Sequence, residues 1–235
     1  MSEEYFYHYT NSTSAKAIFL SGKILPSCRA NGDAVHGDGV YLTTLDPSLG
    51  KETVGKNNWD GVVRHRGTMM ECYFEILIPS CRVKRAKEKR DIQVYAGELY
   101  LDEYMWSLKN WEGDLLATQY FMIRSDGEAA EKQSDTMGRY TLCENIATTN
   151  DHPVYKHEQD DLYLYTAMDG NWIVGPIPGG HRAFLVQRSR HSPSPHKTIS
   201  WKYYDPDYDA SDSDSDTDPD NAWILDETLK VYPCY

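Results

Sequence analysis

Three side chains with complementary chemistry lie far apart in the sequence: His8, Tyr41 and Asp91. Each falls in a short run rich in apolar and aromatic residues, which predicts that each lies on its own β-strand. A neutral imidazole can hydrogen-bond a hydroxyl group, an aromatic ring can stack on a planar ring, and a carboxylate can stabilise a developing positive charge. We expect these three side chains to converge on one cleft, because they lie on predicted strands of a single small sheet.

The segments around these residues resemble a known signature. They read YFYHYT at 5–10, GDGVYLTT at 37–44 and RDIQVY at 90–95. In this order they are similar to the H-Y-[E/D] signature of the ADP-ribosyltransferase superfamily, in its toxin-like and poly(ADP-ribose) polymerase-like branch. The resemblance covers about residues 5–101, somewhat under half of the chain. It implies an enzyme that consumes NAD as its substrate.

The resemblance also implies a role for each residue. As the bond between nicotinamide and ribose breaks, Asp91 would stabilise the positive charge on the ribose and orient an acceptor. Tyr41 would stack on the nicotinamide ring, and His8 would hydrogen-bond a ribose hydroxyl. A hydroxyl just after the tyrosine contacts the carboxamide in the family, a place that Thr43 or Thr44 matches. The expected NAD-binding residues are therefore His8, Tyr9, Thr10, Tyr41, Thr43 and Thr44.

Two positions differ from the polymerase branch. Tyr9 follows His8 where polymerases have glycine, as in the H-Y-T version of the toxin-like group. Asp91 stands where polymerases carry glutamate, and the shorter acid favours single transfer or hydrolysis over chain elongation. Glu98 is the alternative acid. We favour Asp91 because RDIQVY matches the order of acid, apolar residue and tyrosine at that strand.

Each of these residues also has a purely structural interpretation. A lone histidine on a half-buried strand, such as His8, is more often a satisfied structural residue, and a lone tyrosine, such as Tyr41, is more often part of a core. Asp91 beside Arg90 is also compatible with a surface ion pair of little energetic value. Only the combination of the three residues in the family's order favours the functional interpretation.

Strand and helix signals alternate through the first half. Asn11 or Ser12 can cap a helix that stops at Gly22. Residues 27–39 contain three glycines and predict a mobile loop that could cover a ligand. The remaining predicted elements are a strand at 40–45, a polar connection at 51–67, a long central strand at 69–78, a solvated basic loop at 82–90, and strands at 92–95 and 99–101. These elements predict a mixed sheet.

Charge is distributed unevenly. Residues 1–110 contain 14 Lys plus Arg and 14 Asp plus Glu, whereas the rest contain 10 and 22, so the net charge of -12 lies in the second half. This favours two domains, an NAD-binding domain at 1–115 and a β-rich accessory domain at 116–235. The acidic chain is unlike proteins whose main task is to bind nucleic acid, because Lys and Arg supply most of that affinity.

Short aromatic segments separated by turn residues fill the second half and predict a small all-β domain. They lie at 139–143, 153–157, 162–165, 171–174, 182–186, 201–204, 222–225 and 229–232. We expect Trp172, Trp201 and Trp223 to form its core instead of a carbohydrate platform. The histidines at 152, 157 and 181 lack the spacing of metal ligands.

Residues 205–220 alternate aspartate with serine, threonine and proline. Calcium loops place a glycine and a closing glutamate at fixed positions that this segment lacks, so a disordered acidic insertion is favoured. Its serines and Thr217 are candidates for phosphorylation. We expect no metal site in the chain.

The fold class is therefore α+β: an ADP-ribosyltransferase-like domain with a mixed split β-sheet and short helices, then a small aromatic all-β domain. The favoured function is NAD-dependent mono-ADP-ribosyl transfer, with NAD glycohydrolase and a non-catalytic binding module as alternatives. Five widely spaced cysteines predict reduced thiols in a cytoplasmic protein. No apolar run reaches the roughly 18 residues of a membrane span. The acceptor and the oligomeric state stay open.

Overall fold

The chain divides into two compact units, Met1–Ala117 and Thr118–Tyr235. The predicted boundary lies two residues earlier. The computed structural model describes residues 2–28, 35–59, 67–86, 89–143, 149–150, 152–180, 182–187, 192, 194–197, 200–207 and 222–234. Residues 29–34 of the predicted mobile loop, residues 60–66 of the predicted polar connection and residues 208–220 of the predicted acidic insertion therefore lie outside the described residues, as does His181.

The first unit combines short strands with two helices in its described residues. The strands are β1 (Glu3–Thr10), β2 (Lys23–Ile24), β3 (Val40–Leu42), β4 (Cys72–Pro79), β5 (Val83–Arg85), β6 (Gln93–Tyr95), β7 (Leu99–Tyr100), β8 (Met105–Asn110) and β9 (Leu115–Thr118), and the helices are α1 (Ser12–Ser21) and α2 (Lys51–Trp59). Short 3-10 turns occupy Pro47–Leu49, Gly67–Met70, Ser80–Arg82 and Leu101–Glu103.

The strands of this unit form a split sheet. One sheet has the order β1-β4-β8-β9 and another has the order β3-β6-β5. They meet at an isolated bridge, where the Tyr7 amide donates to the Thr43 carbonyl at 2.8 Å and the Thr43 amide donates to the Tyr7 carbonyl at 3.1 Å. Strands β1 and β3, which carry the first two residues of the signature, are therefore neighbours.

A mixture of strand directions was predicted, but the pairs β1–β4, β4–β8, β2–β7, β3–β6 and β5–β6 are antiparallel, as is the bridge at Tyr7. A parallel pair needs a crossover connection between neighbours. Helices α1 and α2 do connect strands, but the strands that they connect are not neighbours in either sheet. These five pairs and the bridge therefore give the split sheet its antiparallel character.

Helix α1 confirms the predicted start and stop. The side chain of Asn11 accepts a hydrogen bond from the Ser14 amide at 2.7 Å, which satisfies one of the free donors of the first turn. Gly22 ends the helix with a φ of 67°, a left-handed conformation that glycine adopts without steric cost. The helix leads directly from β1 into β2.

Helix α2 was not predicted. Its sequence KETVGKNNW offers a single large aliphatic residue, Val54, so the apolar periodicity that signals a helix is absent. Val54 is nevertheless fully buried and packs in a cluster with Tyr7, Tyr9 and Tyr73. The helix therefore forms because it covers this aromatic face of β1 and β4. The predicted basic loop likewise contains strand β5.

The second unit is a nine-stranded antiparallel sheet with one short helix in its described residues. Its elements are β10 (Tyr120–Arg124), α3 (Glu128–Lys132), β11 (Gly138–Leu142), β12 (Tyr155–His157), β13 (Tyr163–Thr166), β14 (Trp172–Gly175), β15 (Leu185–Gln187), β16 (Trp201–Tyr204), β17 (Trp223–Leu225) and β18 (Lys230–Cys234). All eight segments predicted for this half overlap a strand, whereas β10 and α3 were not predicted.

The sheet of the second unit curls. Each strand from β10 to β17 pairs with the next one, but β18 pairs with β10, at the opposite end of the sheet from β17. Only residues 226–229 separate β17 from β18. Because a residue step spans at most about 3.6 Å, this short connection keeps the two ends of the sheet within about 20 Å of each other.

Aromatic residues fill one face of this sheet. Tyr140, Tyr155 and Trp201 are fully buried, and Trp172 is 1% exposed. The expected core role of Trp172 and Trp201 is thus confirmed. The same expectation is wrong for Trp223, which is half-buried on the edge strand β17 and packs edge-on against Tyr204. An edge strand has a neighbour on one side only, so its side chains receive less cover.

The described helices are all too short or too polar to cross a bilayer.

Candidate active site

His8 lies on β1 and points to the strand that carries the signature tyrosine. Its Nδ1 is 3.1 Å from the backbone carbonyl of Tyr41. A carbonyl oxygen can only accept, so Nδ1 carries the proton and Nε2 is the acceptor of the neutral ring. Burial lowers the pKa of His8, and the hydrogen bond to Tyr41 opposes this only in part. His8 is therefore a neutral imidazole at pH 7.

Tyr41 lies in the middle of β3 and is half-buried. Its hydroxyl donates to the carbonyl of Gly37 at 2.9 Å and accepts from the amide of His36 at 2.8 Å. The ring of His36 lies 6.0 Å from that of Tyr41. The segment that precedes β3 thus fixes the orientation of the tyrosine ring through its own backbone.

Asp91 is held by the residues that follow Tyr41 on the chain. Its Oδ2 accepts from the hydroxyl of Thr43 at 2.8 Å, from the hydroxyl of Thr44 at 2.8 Å and from the amide of Thr44 at 2.6 Å. Its Oδ1 accepts from the side-chain amide of Gln93 at 3.0 Å. The carboxylate is therefore bound to the end of β3 and to the start of β6.

These hydrogen bonds decide the charge of Asp91. Its partial burial acts to raise the pKa, but the hydrogen bonds from Thr44, Thr43 and Gln93 outweigh burial and lower the pKa below its ordinary value. Hydrogen bonds to a charged form favour that form. Asp91 is consequently an ionised carboxylate throughout the neutral range, as a group that stabilises positive charge must be.

Asp91 does not lie on a strand, contrary to the prediction, since β6 begins two residues later. Its backbone is paired instead with a side chain of helix α2. The amide of Asp91 donates to Oδ1 of Asn57 at 2.7 Å, and Nδ2 of Asn57 donates to the carbonyl of Asp91 at 2.8 Å. Nδ2 of Asn57 also lies 3.3 Å from Oγ1 of Thr43. Sequence analysis missed Asn57 because it falls in the presumed polar connection.

The structure brings His8 and Asp91 to one short stretch of chain. His8 binds the backbone of Tyr41, and Asp91 binds Thr43 and Thr44. Four consecutive residues span about 10 Å when extended, so both side chains are anchored within that length of β3 and its end. Residues 8, 41 and 91 are thus assembled around β3 across 33 and 50 residues of intervening sequence.

Tyr9 and Thr10 have different surroundings. Successive side chains of a strand point to opposite faces, and Tyr9 points away from the His8 face. Its ring packs against Tyr73 and Trp111, and its hydroxyl donates to the Leu45 carbonyl at 2.8 Å. The expected NAD contact of Tyr9 is therefore restricted to its backbone. Thr10 is on the His8 face and is 5% exposed.

Glu98, the alternative acid, is part of a surface cluster. Its carboxylate accepts from Lys23 Nζ at 2.8 Å and from the Tyr100 hydroxyl at 2.6 Å, beside the β2–β7 pair. The hydrogen bond from Lys23 lowers the pKa of Glu98. These contacts give Glu98 a place in a half-buried ion pair, whereas Asp91 is tied to the end of β3.

Arg90 supplies a positive charge next to this network. Its Nη1 donates to the backbone carbonyl of Asn57 at 3.2 Å, and its Nη2 lies 3.2 Å from Nε2 of His36. The guanidinium therefore lies between the C-terminal part of α2 and the segment that orients Tyr41.

Among the residues that the structure describes, no three or more His, Cys, Asp or Glu side chains are grouped to hold a metal ion. Comparisons of the chain with models of known protein families, with curated proteins and with solved structures found no match.

Proposed function

We propose that the first unit binds NAD, cleaves the bond between nicotinamide and ribose, and transfers a single ADP-ribose group to an acceptor. One observation carries the proposal: a neutral His8 and an ionised Asp91 are both hydrogen-bonded to the same short stretch, residues 41–44. The split sheet and the resemblance of residues 5–101 to the ADP-ribosyltransferase superfamily support it.

The chemistry of each group follows from its hydrogen bonds. Nε2 of His8 is the unprotonated ring nitrogen and can accept a hydrogen bond from a ribose hydroxyl. Asp91 is charged without needing a proton transfer, so it can stabilise the cationic ribose as nicotinamide leaves. The hydroxyl of Thr44 donates to Asp91, so its oxygen can accept from the carboxamide NH₂ of nicotinamide. Thr43 is 1% exposed and its Oγ1 already accepts from the Leu45 amide at 3.1 Å, so Thr43 acts on Asp91 and not on the substrate.

Two further groups fit the rest of the substrate. The half-buried ring of Tyr41 has a fixed orientation and can stack on nicotinamide, a contact worth about 0.5 to 1.5 kcal/mol beyond burial. Arg90 provides a permanent positive charge beside His36 and α2, suited to the diphosphate of NAD. When water replaces the acceptor, the same groups give an NAD glycohydrolase.

One observation favours the non-catalytic alternative. Oδ2 of Asp91 already accepts three hydrogen bonds, which is also how a purely structural carboxylate is bound. A binding module would keep this arrangement to join β3 to β6. Activity measurements separate the two functions.

The deciding experiment incubates the protein with NAD labelled on its adenosine half and measures free nicotinamide, free ADP-ribose and macromolecule-bound label. Wild-type protein should release nicotinamide, and Asp91→Asn should reduce the rate by about 100-fold or more, as the loss of a transition-state charge contact does. Glu98→Gln, which changes a half-buried carboxylate of the same unit, is the control and should keep the rate.

Bound label identifies a transferase, and free ADP-ribose in equal amount to nicotinamide identifies a glycohydrolase. If no acceptor supports nicotinamide release, the catalytic proposal is wrong. Calorimetric titration with NAD then tests the binding module.

A further inference from the structure

Asn57 makes an unusual set of contacts for a residue of a polar helix. Its side chain is 8% exposed and pairs with both backbone groups of Asp91, accepting from the amide at 2.7 Å and donating to the carbonyl at 2.8 Å. This is the pattern that a neighbouring strand would supply. Since Asp91 precedes β6, Asn57 takes the place of the missing strand at this residue.

The same amide reaches the other side of the carboxylate. Nδ2 of Asn57 lies 3.3 Å from Oγ1 of Thr43, and that hydroxyl donates to Oδ2 of Asp91 at 2.8 Å. Asn57 therefore contacts the backbone of Asp91 and one of the donors to its side chain. These contacts hold the backbone from which the Asp91 side chain extends, and they touch the Thr43 hydroxyl that donates to the carboxylate.

We propose that Asn57 is a positioning residue for the reaction, which holds the Asp91 carboxylate against Thr43 and Thr44 so that it faces the ribose. The inference rests on the proposed function, since positioning matters only if Asp91 takes part in the reaction. Asn57 itself is assigned no contact with NAD or with the reacting atoms. Displacement of a reacting group by about 1 Å can cost 100-fold in rate. A loss of position at Asp91 should thus lower turnover more than substrate affinity.

The chain offers a matched control. Asn110 makes the same kind of pair with Asp114: its Nδ2 donates to Oδ2 of Asp114 at 2.9 Å, and the amide of Asp114 donates to its Oδ1 at 2.7 Å. This pair closes the turn between β8, which ends at Asn110, and β9. Asn110→Ala removes comparable hydrogen bonds from the same unit without contacting Asp91.

Steady-state kinetics of nicotinamide release test the inference in Asn57→Ala, Asn57→Asp and Asn110→Ala. We expect kcat to fall by about 100-fold in Asn57→Ala with KM for NAD changed less than about threefold. Asn57→Asp keeps the volume and the Oδ1 acceptor but turns the donor into a second acceptor that faces the Asp91 carbonyl, so it should not restore kcat. Asn110→Ala should keep both constants.

Amide hydrogen exchange gives a readout that needs no activity. The Thr44 amide donates to Oδ2 of Asp91 at 2.6 Å and does not contact Asn57, so it reports where the carboxylate lies. In both Asn57 variants the Thr44 amide should exchange at least about tenfold faster relative to the β4 amides of the same protein, which correct for global stability. In Asn110→Ala this ratio should stay that of the wild type.

The outcomes separate this inference from the proposed function. Faster Thr44 exchange in the Asn57 variants supports positioning even if the wild-type protein releases no nicotinamide, in which case only the proposed function fails. Unchanged relative exchange at Thr44, or a wild-type kcat in Asn57→Asp, overturns the role of Asn57. If Asn57→Ala does not fold, Asn57→Asp carries the same decision.

Discussion

Asp91 of the first unit is half-buried and Asp226 of the second unit is buried, and the carboxylate of each accepts four hydrogen bonds from described residues. The two aspartates differ in the residues that surround them. Asp226 of the second unit is 7% exposed and accepts from Ser125 and Ala129 through Oδ2 and from the amide and hydroxyl of Thr228 through Oδ1. Saturation alone therefore does not distinguish a structural carboxylate from a functional one.

The difference lies in the origin of the donors. The partners of Asp226 are its own neighbour Thr228 and residues at the start of α3, so its carboxylate caps a helix and a turn. Asp91 is bound to the end of β3, the strand whose backbone also binds His8. Asp91 thus shares its anchoring stretch, residues 41–44, with a buried neutral imidazole, and the Asp226 cap has no such neighbour among its described hydrogen-bond partners.

The most decisive comparison is of activity in Asp91→Asn and Asp226→Asn. The first should lose about 100-fold or more of nicotinamide release at unchanged secondary structure, because it removes transition-state charge stabilisation. The second should stay within about threefold of the wild type at a temperature where both are folded. Rates are measured by chromatography of nicotinamide. Equal losses in the two variants would show that the distinction between the two carboxylates is wrong.

Replacement of Asp226 should affect stability more than activity, the opposite of what we expect for Asp91. Asp226→Ala leaves the buried amide of Ala129 without an acceptor, and an unsatisfied buried group costs about 1 to 3 kcal/mol. We expect a loss of about 2 kcal/mol in the unfolding free energy of the second unit. Denaturant unfolding followed by tryptophan fluorescence measures it, with exposed Asp161→Ala as the control. A loss under 1 kcal/mol would contradict the cap.

The pH dependence of stability should separate His8 from the two aspartates. Burial lowers the pKa of His8 in the folded protein, so its contribution to stability is present above the unfolded pKa near 6.5 and is lost as pH falls below it. The lowered pKa values of Asp91 and Asp226 act the same way, but below about pH 4.

Urea unfolding of the first unit between pH 7 and pH 5 should thus become easier in the wild type and less so in His8→Gln. The measured quantity is the slope of the unfolding free energy against pH, which should be steeper in the wild type than in His8→Gln. Identical slopes in the two proteins would mean that His8 is not buried as a neutral ring.

A smaller effect is expected in the core of the second unit. Register places Gln187 between Trp172 and Trp201, and among the described residues neither side-chain amide atom of Gln187 has a hydrogen-bond partner, nor does Nε1 of Trp201. The amide of Asn57, by contrast, is paired. Gln187→Leu should raise the unfolding free energy by about 1 kcal/mol, because it removes unpaired buried polar atoms. A destabilisation measured by thermal unfolding would indicate that Gln187 has a polar partner in solution.

Local patterns account for the parts of the fold that were predicted. Asn11 and Gly22 bound α1 because capping depends on a residue and its immediate neighbours. The strands of the second unit follow from short aromatic runs between turn residues, and the segment predicted at 201–204 coincides with β16. Strands β8, β9 and β10, between residues 105 and 124, were not predicted, although β8 and β9 flank a turn at Trp111 and Glu112.

The sequence by itself determined which residues could do chemistry, since the types and order of His8, Tyr41 and Asp91 are local properties. Only the tertiary structure decided how they are held. Asn57 contacts Asp91 across 34 residues, and His8 contacts Tyr41 across 33. The Tyr9 side chain faces the aromatic cluster because α2, a helix with almost no apolar periodicity, covers that face of β1. Contacts between such distant residues depend on the packing of whole elements, and packing leaves no repeat in the local sequence.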